Sequence, residues 1–157
     1  MQERFQYGKA YPEAFKAMLA LSQAVEKTGL TPQLSDLVNY RVSQLNSCAF
    51  CLDMHSKDLR ARGETEQRLY MISAWREAPH LYSDRERAAL AWAEAMTRLE
   101  DGQVPDEVYE IARQEFSQAE LVQLTLAIVT INGWNRFNVA FRTPAGNYKS
   151  AIVRKAG

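Results

Sequence analysis

Residues 36–55 read DLVNYRVSQLNSCAFCLDMH, and the periodicity around them decides the fold. Working upstream and through this stretch, Leu34, Leu37, Val38, Arg41, Val42 and Leu45 recur at steps of three and four residues, the spacing of one buried face on an α-helix. A half-buried helix is therefore predicted from about Gln33 to Leu45. Asn46 or Ser47 offers a side-chain oxygen able to cap a second helix, expected to start at Cys48 and to reach Arg62, with Gly63 as its left-handed stop. At about 100° per residue, Cys48, Cys51 and His55 then share a wedge of roughly 60° on that helix, so one solvent path reaches all three.

Outward from this pair of helices the same grammar continues. Pro12 suits a first helical turn and opens a helix through Phe15, Met18, Leu19 and Val25 to a stop at Gly29, with Phe15, Met18 and Leu19 on one face. Downstream, a fourth helix is expected from Glu64 to Trp75. The Ser83 to Glu86 sequence (SDRE) reads as a capping box for a fifth, through Ala89, Leu90, Trp92, Ala93, Met96 and Leu99, closed at Asp101-Gly102. Pro105 starts a short sixth, and the Ser117 to Glu120 sequence (SQAE) caps a long seventh with Gly133 as a close-packing point inside it. The expectation is an all-α, single-domain bundle of about six to seven helices spanning residues 1–157, with a weakly structured tail from Thr143. Apart from Gly133, the seven Gly and five Pro fall at or between the ends of the periodic segments, and no repeat or linker points to a second domain.

Composition narrows the function. The 157 residues carry 19 Lys+Arg against 19 Asp+Glu, a formal net charge of zero, with 46% hydrophobic residues. A chain of this size buries roughly 70% of its unfolded surface, which argues against disorder. Zero net charge supplies no field for counterion release from nucleic acid or for docking on acidic lipid, so neither partner is expected. The most apolar run, LVQLTLAIVTI from Leu121, falls well short of the roughly 20 residues of a membrane span. The N-terminal MQERFQYGKAYPEAF mixes charges and lacks a leader's apolar stretch, so a cytoplasmic protein is expected. Three Trp, seven Tyr and six Phe in a helical chain this short predict leftover apolar surface and a homo-oligomer.

In a reducing compartment, the chain's two cysteines three residues apart point to chemistry rather than to a structural staple. At helical i,i+3 spacing their Cβ atoms stand about 5 to 6 Å apart, against the roughly 3.5 to 4.5 Å of a relaxed disulfide, so a bridge needs local adjustment and should be reducible. A helix N-terminus and a nearby imidazole both favour a thiolate. His55 can accept the thiol proton, and a carboxylate can orient the ring. Asp36, Asp53 and Asp58 all compete for that place on spacing alone.

The spacing Asp36-x11-Cys48-x2-Cys51-x3-His55 resembles the Glu-x11-Cys-x2-Cys-x3-His pattern of the alkylhydroperoxidase AhpD-like core in the carboxymuconolactone decarboxylase superfamily. The likeness extends through Val42-Ser43-Gln44-Leu45-Asn46, Lys57-Asp58 and Gly63-Glu64, and to Ile131-Asn132-Gly133-Trp134-Asn135-Arg136, which is similar to the family's closing helix. It covers about residues 31–141. It implies an all-α oligomer that reduces organic hydroperoxides, with Cys51 as the attacking thiol, Cys48 as the resolving one, His55 as the relay base and Asp36 as the relay carboxylate. It also implies an external dithiol or redox-protein donor and no bound cofactor. Two positions depart from the pattern: Asp36 is one methylene shorter than the family's Glu, and Phe50 stands where a second His lies between the cysteines of the best-characterised members.

Blander readings stand beside these. A closed zinc site needs four ligands, and beyond Cys48, Cys51 and His55 the chain offers one further histidine, His80, expected on a solvated loop, so no metal is expected. Trp134, Asn135 and Arg136 fit core or contact roles and stay outside the catalytic set. The charges among residues 57–62 and 84–87 read as solvated helix faces. Functional alternatives are a general thiol-disulfide oxidoreductase using the same residues, and a carboxymuconolactone decarboxylase-like enzyme or binding module sharing the scaffold.

Overall fold

The computed structural model describes residues 2–152. Among the described residues there are eight α-helices and no strand: α1 (Tyr7–Ala10), α2 (Pro12–Glu26), α3 (Pro32–Leu45), α4 (Ala49–Ala61), α5 (Glu66–Met71), α6 (Asp84–Arg98), α7 (Asp106–Glu115) and α8 (Gln118–Phe141). The all-α prediction holds, with one short helix, α1, beyond the expected six to seven. Four residues give too few apolar positions for a periodic signal, and α1 buries no residue of its own.

Helix α3 is the hub, packing on α4, α6 and α8. Its apolar face splits between two cores. Leu34, Val38 and Val42 join both cysteines, Trp92, Leu124, Ile128 and Ile131, whereas Leu37 turns to Leu59, Leu69, Ile72, Trp75 and Leu90. Each such side chain contributes about 1.5 to 3 kcal/mol of burial free energy. Arg41 lies on the same buried face because Glu94 of α6 accepts its Nε–H at 2.7 Å. Glu94 also accepts from Trp75 Nε1 at 3.0 Å and from Arg76. Burial opposes its ionisation, but these three donors outweigh burial and hold its carboxyl below the usual range.

Both expected capping boxes form: Ser83 with Glu86 opens α6, and Ser117 with Glu120 opens α8. Gly133 is a close-packing point, since a Cβ there would stand 2.8 Å from Met18 Cε. Several boundaries differ from expectation. Helix α2 ends at Glu26, three residues before Gly29, because Thr28 turns its hydroxyl and amide back onto Val25 O. The fourth predicted helix starts later, capped by Thr65, and tightens into a 3₁₀ turn at Ile72–Ala74. Helix α6 stops at Leu99, whose left-handed φ of 46° breaks the ladder before Asp101-Gly102. Met18 alone of the predicted α2 face is buried, while Phe15 and Leu19 stay exposed.

From residue 143 to 152 there is no helix, yet this stretch is tied down; the rest of the expected weakly structured tail lies outside the described residues. Lys57 Nζ donates to Gly146 O at 3.2 Å and Tyr148 O at 2.9 Å, and Gly146 N–H donates to Asp53 Oδ2 at 3.0 Å. Tyr148 Oη donates to Asp58 at 3.0 Å, and burial together with that bond pushes its phenol up to about 12. The Lys57 and Asp58 charges, read as a solvated face, therefore hold this segment along α4.

Candidate functional site

The α3–α4 connection is built so that both sulfurs meet. Ser47 adopts a left-handed φ of 53°, and Cys48 is extended (φ −85°, ψ 94°). This corrects the expected start of the helix: Cys48 is the N-cap of α4, not a residue of its first turn, and neither Asn46 nor Ser47 caps it. The extended cap supplies the adjustment that a pure helical spacing lacked. Cys48 and Cys51 are bonded as a disulfide with Cα atoms 5.4 Å apart.

Polar side chains of α8 fix this connection. Asn46 Nδ2 donates to Asn132 Oδ1 and to Asn135 Oδ1, each at 2.9 Å, and Asn135 Nδ2 donates to Ser43 Oγ at 3.1 Å. The Asn132-Gly133-Trp134-Asn135 run thus serves as a clamp on the turn that presents the cysteines. Arg136 remains exposed and donates to Asn132 on its own helix.

One turn beyond Cys51, His55 is buried on α4. Its Nδ1 lies 3.4 Å from Asp36 Oδ1, and the other oxygen of Asp36 accepts from Arg62 Nε at 2.8 Å. Of the three carboxylates open on spacing, Asp36 is the one beside the ring. Asp53 is engaged by Lys57 and Gly146, and Asp58 by Tyr148. Helix α3 packs directly on α4, which brings Asp36 to His55 across the interface despite its short side chain. The His55–Asp36 approach is a close contact without an aligned hydrogen bond, since both buried ring nitrogens lack a well-formed partner. Such bonds often tighten only when a substrate is in place. Burial opposes ionisation of Asp36, but His55 and Arg62 together outweigh it and hold the carboxyl below its ordinary value.

Both cysteines are only 1% exposed, so access to sulfur must run through a cavity. Cys51 lines one, an apolar cleft of about 380 Å³ walled by Tyr7, Phe15, Phe50, Met54 and Trp134. Asn138, buried on α8, donates its amide to Cys51 Sγ at 3.5 Å and accepts from Tyr7 Oη at 3.4 Å. His55 lines a second cleft of about 490 Å³ with Asp36, Asn39, Asp58 and Arg62. Met54 and Trp134 belong to both walls.

Sequence reasoning missed Arg62, Asn138 and Tyr7. Arg62 sits at the end of a charged helix face that gives no sign of folding back on α3. Asn138 and Tyr7 meet Cys51 only through contacts more than 80 residues apart in the chain. His80 lies exposed in the 3₁₀ turn Pro79–Leu81.

The chain belongs to the carboxymuconolactone decarboxylase family, whose profile matches residues 12–95. Among proteins similar to it, YdfG of Bacillus subtilis (strain 168), uncharacterised, is 39% identical over 94% of this chain and 99% of its own length. Among solved structures, ATU0492 of Agrobacterium tumefaciens, a protein of unknown function with a suggested role as the antioxidant defence protein AhpD, is 43% identical. It superposes with a TM-score of 0.89 over 94% of this chain and all of its own. The debrominase Bmp8 shares the fold at a TM-score of 0.75 and 18% identity, covering 88% of this chain and 74% of its own. Membership and the AhpD-like neighbour support a peroxidase-related or carboxymuconolactone decarboxylase-like function. Among the described residues no helix is long and apolar enough to cross a membrane.

Proposed function

We propose that the chain is a thiol-dependent peroxidase that reduces organic hydroperoxides to alcohols. The carrying observation is that Cys51, bonded to Cys48, is the cysteine whose side chain opens onto a ligand-sized apolar cleft. In the reduced protein, His55 takes the Cys51 thiol proton, with Asp36 orienting the ring and Arg62 holding Asp36. The Cys51 thiolate attacks the terminal peroxide oxygen: an S–O bond forms, the O–O bond breaks, and the departing alkoxide takes the proton from His55 to leave as alcohol. Sulfur is oxidised by two electrons to a sulfenic acid. Cys48 then attacks that sulfur, the S–S bond forms, and the hydroxyl leaves as water with the Cys48 proton. An external dithiol reopens the bridge by thiol–disulfide exchange, becoming a disulfide itself.

Counting free thiols on the reduced protein, before and after one equivalent of cumene hydroperoxide, tests the cycle. Two thiols should vanish per chain, far faster than from a simple thiol. Cys48→Ser should lose one thiol and accumulate a trappable sulfenic acid, and Cys51→Ser should react no faster than the simple thiol. Full hydroperoxide turnover by Cys51→Ser rejects the reading. Fast exchange with a dithiol and no reaction with peroxide would make the chain a thiol-disulfide oxidoreductase.

A further inference from the structure

The walls of the Cys51 cleft come largely from outside the family-matched residues 12–95. Glu3, Gln6, Tyr7 and Gly8 contribute from the N-terminal segment, and Trp134 and Asn138 from α8. That segment is fastened in place. Arg4 N–H donates to Phe141 O at 3.1 Å, Arg4 Nη1 donates to Ala140 O at 2.8 Å, and the Phe5 ring lies 4.7 Å from that of Phe141. Phe15 meets Trp134 edge to face at 5.5 Å, and the Tyr7 centroid lies 6.3 Å from that of Phe15. A volume of about 380 Å³ bounded by four aromatic rings and Met54 falls within the roughly 300 to 1,000 Å³ of small-molecule sites.

Charge among the described residues of this wall has one sign. Among the described residues that line the cleft there is no Lys, Arg or His, and the single carboxylate is that of Glu3. An anionic group entering here would shed water without gaining a cation, and would meet a like charge. A neutral ring would exchange water for aromatic contact and leave the peroxide end beside Cys51 and the Asn138 amide.

Resting on the peroxidase reading, we infer that this cleft receives the organic group of the hydroperoxide, selects a neutral, ring-sized apolar group over an anionic one, and uses Glu3 as its specificity-determining residue. The matched probes are cumene hydroperoxide and its para-carboxylate analogue, together with the two corresponding alcohols. In the oxidised protein, the neutral alcohol should shift the Gly8 and Cys51 amide resonances saturably, and the carboxylate alcohol should not at the same concentration. In turnover with excess dithiothreitol, kcat/KM should favour the neutral hydroperoxide by at least about tenfold, the effect of one like charge near a partly buried site. Glu3→Lys should bring that ratio toward unity or invert it. Equal binding and equal turnover of the two probes, or shifts confined to His55 and Asn39 in the other cleft, would overturn the inference. Selective binding of the neutral alcohol at Cys51 without turnover of either hydroperoxide upholds the cleft's selectivity and rejects the peroxidase reading instead.

Discussion

The two clefts that meet at Met54 and Trp134 are close in size and opposite in chemistry. The one at Cys51 is aromatic, with Glu3 as the lone charge among its described residues, whereas the one at His55 gathers Asp36, Asp58, Arg62 and Glu26 around a buried imidazole. Cys51 and His55 stand one turn apart on α4, Cys51 lining the first cleft and His55 the second. A thiol reaction needs both environments, a dry one that receives an organic group and a polar one that stores and moves a proton. In the proposed cycle, two clefts that share Met54 and Trp134 but not their charged residues let the organic group approach sulfur without displacing the charges that set the proton's position. Altering one side should therefore leave the other side's property intact.

The largest effect is expected on the polar side. His55→Ala or Asp36→Asn should lower kcat/KM for cumene hydroperoxide by about 100-fold or more, the ordinary reach of a lost acid–base relay. The preference between the neutral and carboxylate probes should stay unchanged, and a parallel loss of that preference would break the division between the clefts.

Next comes the contact that touches sulfur from the apolar side. Asn138→Ala removes the donor to Cys51 Sγ, and a hydrogen bond to a charged acceptor is worth enough to slow alkylation of the reduced Cys51 at pH 7 by about tenfold. The rate–pH profile for iodoacetamide should move to higher pH and rejoin the wild-type plateau, whereas general loosening of the fold would lower the plateau itself. Tyr7→Phe should shift the same profile less, since Tyr7 reaches Cys51 only through Asn138.

Acid should report on Asp36. A carboxyl held below its unfolded value stabilises the fold above about pH 4, and that contribution is lost as pH falls through the lower folded value. Urea midpoints of wild type and Asp36→Asn should therefore converge on descending from pH 6 to pH 2.5, and a constant gap would mean that Asp36 acts through shape alone. The smallest effect belongs to Gly133→Ala. Its new methyl group meets the flexible end of Met18, and the gain in helix propensity offsets that push, so stability should change by less than about 1 kcal/mol.

Legibility in the sequence followed the range of the forces involved. Helices α3, α6 and α8 were readable because their buried faces repeat over three or more turns and their N-termini carry capping residues in register. The cysteines, His55 and Asp36 emerged from spacing and family likeness within 20 residues. The helix start at Cys48 was misplaced because Asn46 and Ser47 have good capping side chains. Asn46 instead gives its amide to α8, a partner 86 residues away. Arg41 on an apolar face was a usable sign of a buried carboxylate, but nothing local selected Glu94. Glu3 and Tyr7 carry no pattern at all, and only packing of the N-terminal segment on α8 brings them to the cleft.

In the proposed cycle, Cys48 at the N-cap bears on how the bridge is reopened. While bonded to Cys51, its sulfur caps nothing, and α4 begins without a side chain on its first amides. A nucleophile that strikes Cys51 expels Cys48 as an anion at the positive end of a thirteen-residue helix. There it can accept the unclaimed Phe50 or Cys51 N–H, and a sulfur whose negative charge is welcomed departs faster. The oxidised protein thus keeps one helix end unfinished, and reduction completes it.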